Sequence, residues 1–451
     1  MTSPQRSLVV VLLLLLVVLG SATTANALPA FARKYGLRCS ACHEAWPMLN
    51  YFGQKFKDNG YQLMNDRDAP IWQNPSYWPV TFRITPQWHR ESTDKVAVDT
   101  PAGPNAGQQQ VTSHGFDLSG LDFHTGGTLE KNISFYVLPS SNSAGSFHFE
   151  TVMARLDNLF GSSWFNVKLG KFELDNLISE KRILTLTNIS GVYQTYHFRP
   201  PGDSNFYGQI GDNQLGVEWL GHSYNDRTRV SAALLSTNDG QVGLPSSNAY
   251  SGFFTASQAF DVGKFGVDRV GFYAMVGEAP TFFLTSNGGG PVATPFGNNS
   301  GGGNKGFSRE GFVGLFYFGK VDFLVLTQHG SDNAFFATTP SSPANQPLPA
   351  GLQSPTWNGY LVETHYVYSP QLIFLQRSEF ERVSQQGVQG TPSNMGNLNM
   401  FTFGYRYYPI MTSRAGFAWH NEYSWMRQKG AAPDGTDLTS STLLLGFDFD
   451  F

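Results

Sequence analysis

The chain has 451 residues, of which 14% are charged and 14% aromatic, with 48 Gly and a formal charge of −4. That balance excludes binding driven by phosphate neutralisation, so no nucleic-acid partner is expected. A mean hydropathy of −0.24 excludes a bundle of spanning helices, and few charges with many aromatics and glycines fit a β-rich chain between lipid and water.

Residues 1–27 read as an export signal. Arg6 gives a positive start, Leu8 to Leu19 is an unbroken apolar run of 12, and Ala25-Asn26-Ala27 is a cleavage pattern of small residues. The run is too short to cross a bilayer as a helix, and no second long apolar run follows. The mature chain is expected to start at Leu28. Residues 28–74 are then read as a haem c-binding helical segment and 75–451 as a porin-like outer-membrane β-barrel.

Both cysteines fall in Cys39-Ser40-Ala41-Cys42-His43. C-x-x-C-H is the attachment pattern of c-type haem. Two thiols three positions apart on one helical turn can each form a thioether to a haem vinyl group, and the next imidazole serves as the proximal iron ligand. A Cys39–Cys42 disulfide competes with this reading but closes too small a loop to stabilise much. A thioredoxin-like pair would need a βαβ setting, which the sequence lacks. Cys39, Cys42 and His43 are therefore the predicted holders of one covalent haem c.

Trp46-Pro47 predicts the start of a short helix, with Leu49, Phe52 and Phe56 at i, i+3 and i+7 on one face to pack the haem. Gln54, Lys55, Lys57 and Asp58 fall largely on the other face, and Asn59-Gly60 is the stop signal. The segment before Val80 is short for a free-standing core, so it is expected to dock into the periplasmic end of the lumen. For the sixth iron position Met48 and Met64 are candidates; Met64 follows the Gly60 turn and can fold back. Plain apolar packing of either Met, a downstream histidine, or no protein ligand stay open.

From Val80 onward the period is two. Val80, Phe82, Ile84 and Trp88 alternate with Thr81, Arg83, Thr85, Gln87 and His89. Phe147, Phe149, Thr151 and Met153 alternate with His148, Glu150 and Ala154; Val321, Phe323 and Val325 with Asp322; and Phe417, Trp419, Tyr423 and Trp425 with Ala418, His420, Glu422 and Ser424. Such runs, apolar outward and polar inward, mark transmembrane barrel strands. Short turns such as Asp261-Val262-Gly263-Lys264 alternate with long Gly/Pro/Asn-rich stretches near 92–112, 199–213, 286–306 and 331–357, which places the long ones outside the cell. The chain ends on Phe447, Phe449 and Phe451, the alternating aromatic end of a closing strand. The prediction is mainly β: a transmembrane antiparallel barrel of about 16 strands around an aqueous lumen, preceded by the short α-helical segment.

The stretch Ala27-Leu28-Pro29-Ala30-Phe31-Ala32-Arg33-Lys34-Tyr35, the C-x-x-C-H motif, Pro47-Met48-Leu49-Asn50-Tyr51-Phe52-Gly53, and Phe56 to Gly60-Tyr61 together resemble the outer-membrane monohaem cytochrome c–porin fusions. The resemblance covers the motif region closely and the barrel by architecture. It implies thioether sites at Cys39 and Cys42, a proximal ligand at His43, and an extracellular electron donor, since the best-studied members oxidise Fe(II) at the cell surface.

Two function classes follow. One is electron transfer from an external donor such as Fe(II) through the haem to a periplasmic c-type cytochrome, with outer-membrane lipid around the barrel. The other is a solute porin whose haem segment is a plug or redox sensor. The pairs His148/Glu150, Glu363/His365 and His420/Glu422 sit at i, i+2, where they can line a cation path or simply form a solvated pore wall.

Overall fold

The structure is a computed structural model that describes residues 29–45, 48–63, 70–72, 79–98, 107–141, 146–174, 213–236, 250–280, 282–286, 291–295, 304–331, 356–383, 397–412, 415–430 and 436–450. The export signal, Met64 and Phe451 lie outside the described residues.

Sixteen antiparallel strands close into one barrel in chain order, the last pairing back to the first. They are β1 (Val80–Val98), β2 (Gly107–Glu130), β3 (Ile133–Ser141), β4 (Phe147–Leu156), β5 (Asn166–Glu173) and β6 (Asn213–His222). There follow β7 (Thr228–Ser236), β8 (Tyr250–Asp261), β9 (Val267–Pro280), β10 (Asn304–Phe318) and β11 (Val321–Ser331). The circle is completed by β12 (Thr356–Ser369), β13 (Leu372–Val383), β14 (Leu398–Met411), β15 (Gly416–Gln428) and β16 (Leu438–Asp450). Closure leaves no free edge, so backbone groups are satisfied across every strand pair in a solvent that offers none.

Alternation decides what each face meets. On β15, Ala418, His420, Glu422 and Ser424 are buried inward while Trp419 and Tyr423 are exposed outward. Phe254, Phe272, Phe312, Phe374, Phe403 and Phe447 are exposed likewise on their strands. A closed barrel with an apolar, aromatic exterior is an outer-membrane structure. Turns such as Lys131-Asn132, Gly319-Lys320 and Pro370-Gln371 mark the periplasmic end, and the long connections leave the opposite end.

Three expectations need correction. The stretch near 92–112 is not one loop: β1 continues to Val98 and β2 starts at Gly107, with Ser92 and Thr112 joined hydroxyl to hydroxyl at 2.9 Å. Strands that rise beyond the bilayer meet water on both faces and lose the apolar alternation that reveals them. On β4 the phase also breaks. Phe147 and Phe149 are exposed, but Thr151 and Met153 are buried inward and Ala154 is exposed, because the register shifts against β3 between Leu138 and Pro139. An extra residue in one strand moves every side chain beyond it to the other face.

The third correction concerns the lumen. Leu324, Leu326 and Leu361, which face inward on β11 and β12, are at most 1% exposed. They belong to one apolar cluster with Leu138 of β3, Phe172 of β5, Leu235 of β7, Phe253 of β8, Tyr273 and Met275 of β9 and Phe307 of β10. At this level the inward face of these strands is apolar and buried, not the polar lining expected of it.

Inside the periplasmic half lie three short helices, α1 (Pro29–Tyr35), α2 (Cys39–Cys42) and α3 (Tyr51–Asp58). Tyr35, Phe56 and Tyr61 join the same apolar cluster as the lumen wall. Phe31 stacks on Tyr61 at 4.9 Å between ring centroids, and Tyr61 on Tyr136 of β3 at 5.6 Å. The segment therefore has no core of its own. It completes the barrel's core.

Candidate functional site

The C-x-x-C-H turn is built by hydrogen bonds that the sequence places within ten residues. Arg38 precedes α2 in extended backbone, and the His43 N–H donates to the Cys39 carbonyl as the helix ends. His43 to Ala45 then pairs antiparallel with Met48 and Leu49. This short return brings Asn50 back onto the turn. Its N–H donates to Cys42 O at 3.0 Å, its Nδ2 to Ala41 O at 3.1 Å, and its Oδ1 accepts from Gly53 N at 2.9 Å. Asn50 thus caps α3 and clamps the cysteine turn to it. Asn50→Ala should cost about 1 kcal/mol of segment stability, read as a lower denaturant midpoint for proteolysis within residues 29–63; an unchanged midpoint would refute the clamp.

Side by side, α2 and α3 touch where Gly53 meets Cys42, since a Cβ at 53 would overlap the Cys42 carbonyl. At its C-terminal end α3 is held by charge. Arg155 of β4 donates to the carbonyls of Lys57 and Asp58, Arg229 of β7 binds Asp58 Oδ1 at 2.6 Å, and Lys57 pairs with Glu173 at 2.5 Å. The segment's other end is fixed by Ala30 N to Thr81 Oγ1 at 3.1 Å and Lys34 Nζ to Thr128 Oγ1 at 3.1 Å.

The predicted haem-packing trio does not form one face. Leu49 lies on the short return strand, before the Asn50 cap, so it is outside the helix. Trp46 and Pro47 lie outside the described residues, and the helix starts at Tyr51. Phe52 is 40% exposed. Phe56 alone is buried, edge-on to Phe31 and Tyr35 at 5.3 Å each. Gln54 and Asp58, expected on the solvent side, are buried instead. A helix enclosed by a charged barrel wall can bury polar residues on partners such as Arg229, a possibility that helical periodicity does not encode. Met48 is buried among Ile373, Leu375, Tyr408 and Ala418, a packing residue in this arrangement.

Neither Cys39 nor Cys42 forms a disulfide. Cys39 is buried against Ala32 and Met411, with Sγ 3.7 Å from Thr412 O. It borders a small cavity of about 20 Å³ lined by Tyr408, Ile410, Met411, Gly416, Phe417, Ala418 and Asp450. Burial pushes the Cys42 thiol up to about 11, which holds that sulfur in its protonated form. Two cysteines one helical turn apart and a buried imidazole at the next position form a donor set that fits a covalently attached haem.

Next to His43, Glu44 turns toward the wall at Asp322 of β11 and His365 of β12, and burial, with Asp322 adding to it, pushes its carboxyl up to about 7. His365 is held on both nitrogens, by Asp322 at 2.5 Å and Glu363 at 2.8 Å. His420 lies 3.4 Å from Asp448. The pairs Glu363/His365 and His420/Glu422 face the lumen as expected, but their imidazoles are engaged by carboxylates, and among the described residues no three His, Cys, Asp or Glu side chains form a ready metal cage. His148 is exposed, and Glu150 sits at the β4 irregularity.

No family model matches the chain, and no curated protein matches its sequence. Solved structures do align with it. An anion-selective porin from Comamonas acidovorans covers 82% of this chain and 99% of its own at 11% identity, with a TM-score of 0.48. The DcaP channel of Acinetobacter baumannii covers 82% and 97% at 10% identity and TM-score 0.47. Pseudomonas putida OprB covers 82% and 94% at 10% identity, also at 0.47. The likeness is of fold alone.

Proposed function

We propose that this outer-membrane barrel is an electron-transfer protein carrying one c-type haem on Cys39 and Cys42, with His43 as proximal ligand. The observation that supports it is the position of the C-x-x-C-H turn, clamped by Asn50 and Gly53 within a closed barrel, with neither cysteine in a disulfide. When bound, the haem supplies a one-electron couple. The chain's residues supply the rest: Asn50 orients the turn, α3 and its arginine partners fix it in the lumen, and the apolar cluster excludes water around it. The external donor is Fe(II) by the resemblance of the N-terminal motifs, and the acceptor a periplasmic c-type cytochrome. The competing reading, a solute porin whose haem segment is a plug or redox sensor, is supported by the closed sixteen-stranded barrel.

A double variant, Cys39→Ala with Cys42→Ala, should lose haem staining on a denaturing gel while keeping the heat-modifiable mobility of a folded barrel. Full staining in the double variant would end the haem c reading. Stopped-flow spectra of the purified wild-type protein with Fe(II) should show reduction of the bound haem; an inert haem would instead favour the sensor or plug alternative.

A further inference from the structure

The outward face of the barrel carries a row of cations that electron transfer does not use. Arg90 of β1 and Arg382 of β13 each stand ten positions along their strands from the periplasmic ends at Val80 and Leu372, and Arg427 of β15 stands eleven from Gly416. A strand rises about 3.3 Å per residue, so at a tilt of about 40° ten residues climb roughly 25 Å, the height of a barrel's apolar band. The three arginines therefore lie where that band gives way to the head groups of the outer leaflet.

Alternation points them outward. Arg90 follows Trp88 on the side paired with Leu443 and Leu445. Arg427 follows Tyr423 and Trp425, and Arg382 follows Phe374 and Phe380. Immediately below the row, Phe380 meets Phe401 at 5.7 Å between ring centroids, and Phe401 stacks on Trp425 at 6.0 Å. Such an aromatic girdle marks the edge of the hydrocarbon. Arg382 lies over the Phe380 ring at 5.6 Å, half in the girdle and half above it.

The hydrogen bonds of Arg382 leave one edge of its guanidinium to take a ligand. Its Nη1 donates to the carbonyls of Glu381 and Leu398 at 2.7 and 2.9 Å, and its Nη2 to Asn399 Oδ1 at 2.6 Å. Of five N–H groups these use three, so among the described residues Nε–H and one Nη2–H remain. That pair of nitrogens is the fork that grips phosphate through two parallel bonds. Arg90 is exposed, and among the described residues it forms no ion pair. Lys429, just past β15, is exposed as well, and Lys95 donates to Thr436 Oγ1 at 2.5 Å. The described carboxylates beside the row are Asp437, bound by Arg427 Nε at 2.8 Å, and Asp94, which accepts the Thr439 N–H at 2.6 Å. Glu91 and Glu381 stand on the lumen side of their strands. The row is cationic, and hydrocarbon offers it nothing.

We infer that the arc from β13 through β16 to β1 is a binding surface for the phosphorylated glycolipid of the outer leaflet, with Arg382 and Arg90 holding its phosphates and the Phe380–Phe401–Trp425 girdle lying against its acyl chains. The inference concerns the lipid side of the barrel and stands independently of the haem.

The test is native mass spectrometry of the purified full-length protein in detergent, titrated with diphosphoryl lipid A and with the same lipid stripped of both phosphates. The wild type should retain lipid A and release the stripped form. Arg382→Gln should weaken retention roughly tenfold, the worth of one charge-assisted contact, and Arg90→Gln with Arg382→Gln should weaken it further. Both variants are checked for the heat-modifiable mobility of a folded barrel. Lys131→Gln, at a periplasmic turn, should bind as the wild type does. Equal retention of the stripped lipid, a measurement that needs no variant, overturns the inference. So does displacement of lipid A by an equal concentration of phosphatidylglycerol, which would show a surface that takes any anionic lipid, and so does unchanged affinity in the folded double variant.

Discussion

Gly53→Val should release the N-terminal segment from the lumen. A side chain at 53 meets the Cys42 carbonyl, which is backbone and cannot swing aside. The two helices would have to part, which breaks the Asn50 bonds to Ala41 and Cys42 at the same time. Overpacking in a rigid core costs roughly 1–3 kcal/mol, and loss of the Asn50 cap adds about 1 kcal/mol. The segment's only core is the one it shares with the wall, so partial seating has little to sustain it. Limited proteolysis should cut within residues 29–63 in the variant and spare the same sites in the wild type, while the barrel keeps its heat-modifiable mobility. Gly53→Ala should show a weaker form of the same effect. Protection of the Val variant equal to wild type would mean that the close approach of α2 and α3 is not what seats the segment.

In a planar bilayer the purified protein should be electrically closed. Barrels of sixteen strands ordinarily enclose a water-filled path, yet here Leu324, Leu326 and Leu361 meet Phe253, Tyr273 and Met275 inside the wall and are shut off from solvent. Hydrated ions do not cross a packed apolar layer without opening it. Replacing Leu324 and Leu361 with Ser removes two buried apolar side chains, at about 2–5 kcal/mol each by analogy with truncation to Ala, and should produce stepwise single-channel currents. Steady porin-like conductance from the wild-type protein would revive the solute-channel reading.

The barrel was legible in the sequence because lipid is a severe judge of alternation. The runs around Phe82 and Trp419 have no other stable use, and the outward Phe, Tyr and Trp residues register directly as period two. The lumen was less legible. Its inward residues answer to neighbours from distant strands, so nothing local announces that Leu324 and Leu361 meet in an apolar cluster and not in water. The bulge at Glu150 hides for the same reason, since only the partner strand shows which register wins. In the N-terminal segment Cys39, Cys42 and His43 stood out because their spacing is the chemistry. The role of Asn50 carried a local signal, an Asn three positions before Gly53 at a helix start, which reading the helix from Pro47 obscured. Phe52 was misplaced because helical periodicity assumes one dry side and one wet side, whereas α3 lies against a wall that offers arginines as readily as leucines.

Enclosure of the cysteine turn also fixes an order of events in biogenesis. In the finished protein, Cys39 faces Ala32, Met411 and Thr412, Cys42 is backed by α3, and the first and last strands are joined across the seam by Arg83 to Asp448. Cys39 is buried in the closed barrel, whereas Cys42 is only partly so. Covalent modification at Cys39 therefore belongs to the periplasmic transit of the still-open chain, before β16 finds β1. Membrane insertion is then the later step, and a chain that reaches it unmodified closes over a bare Cys39 thiol.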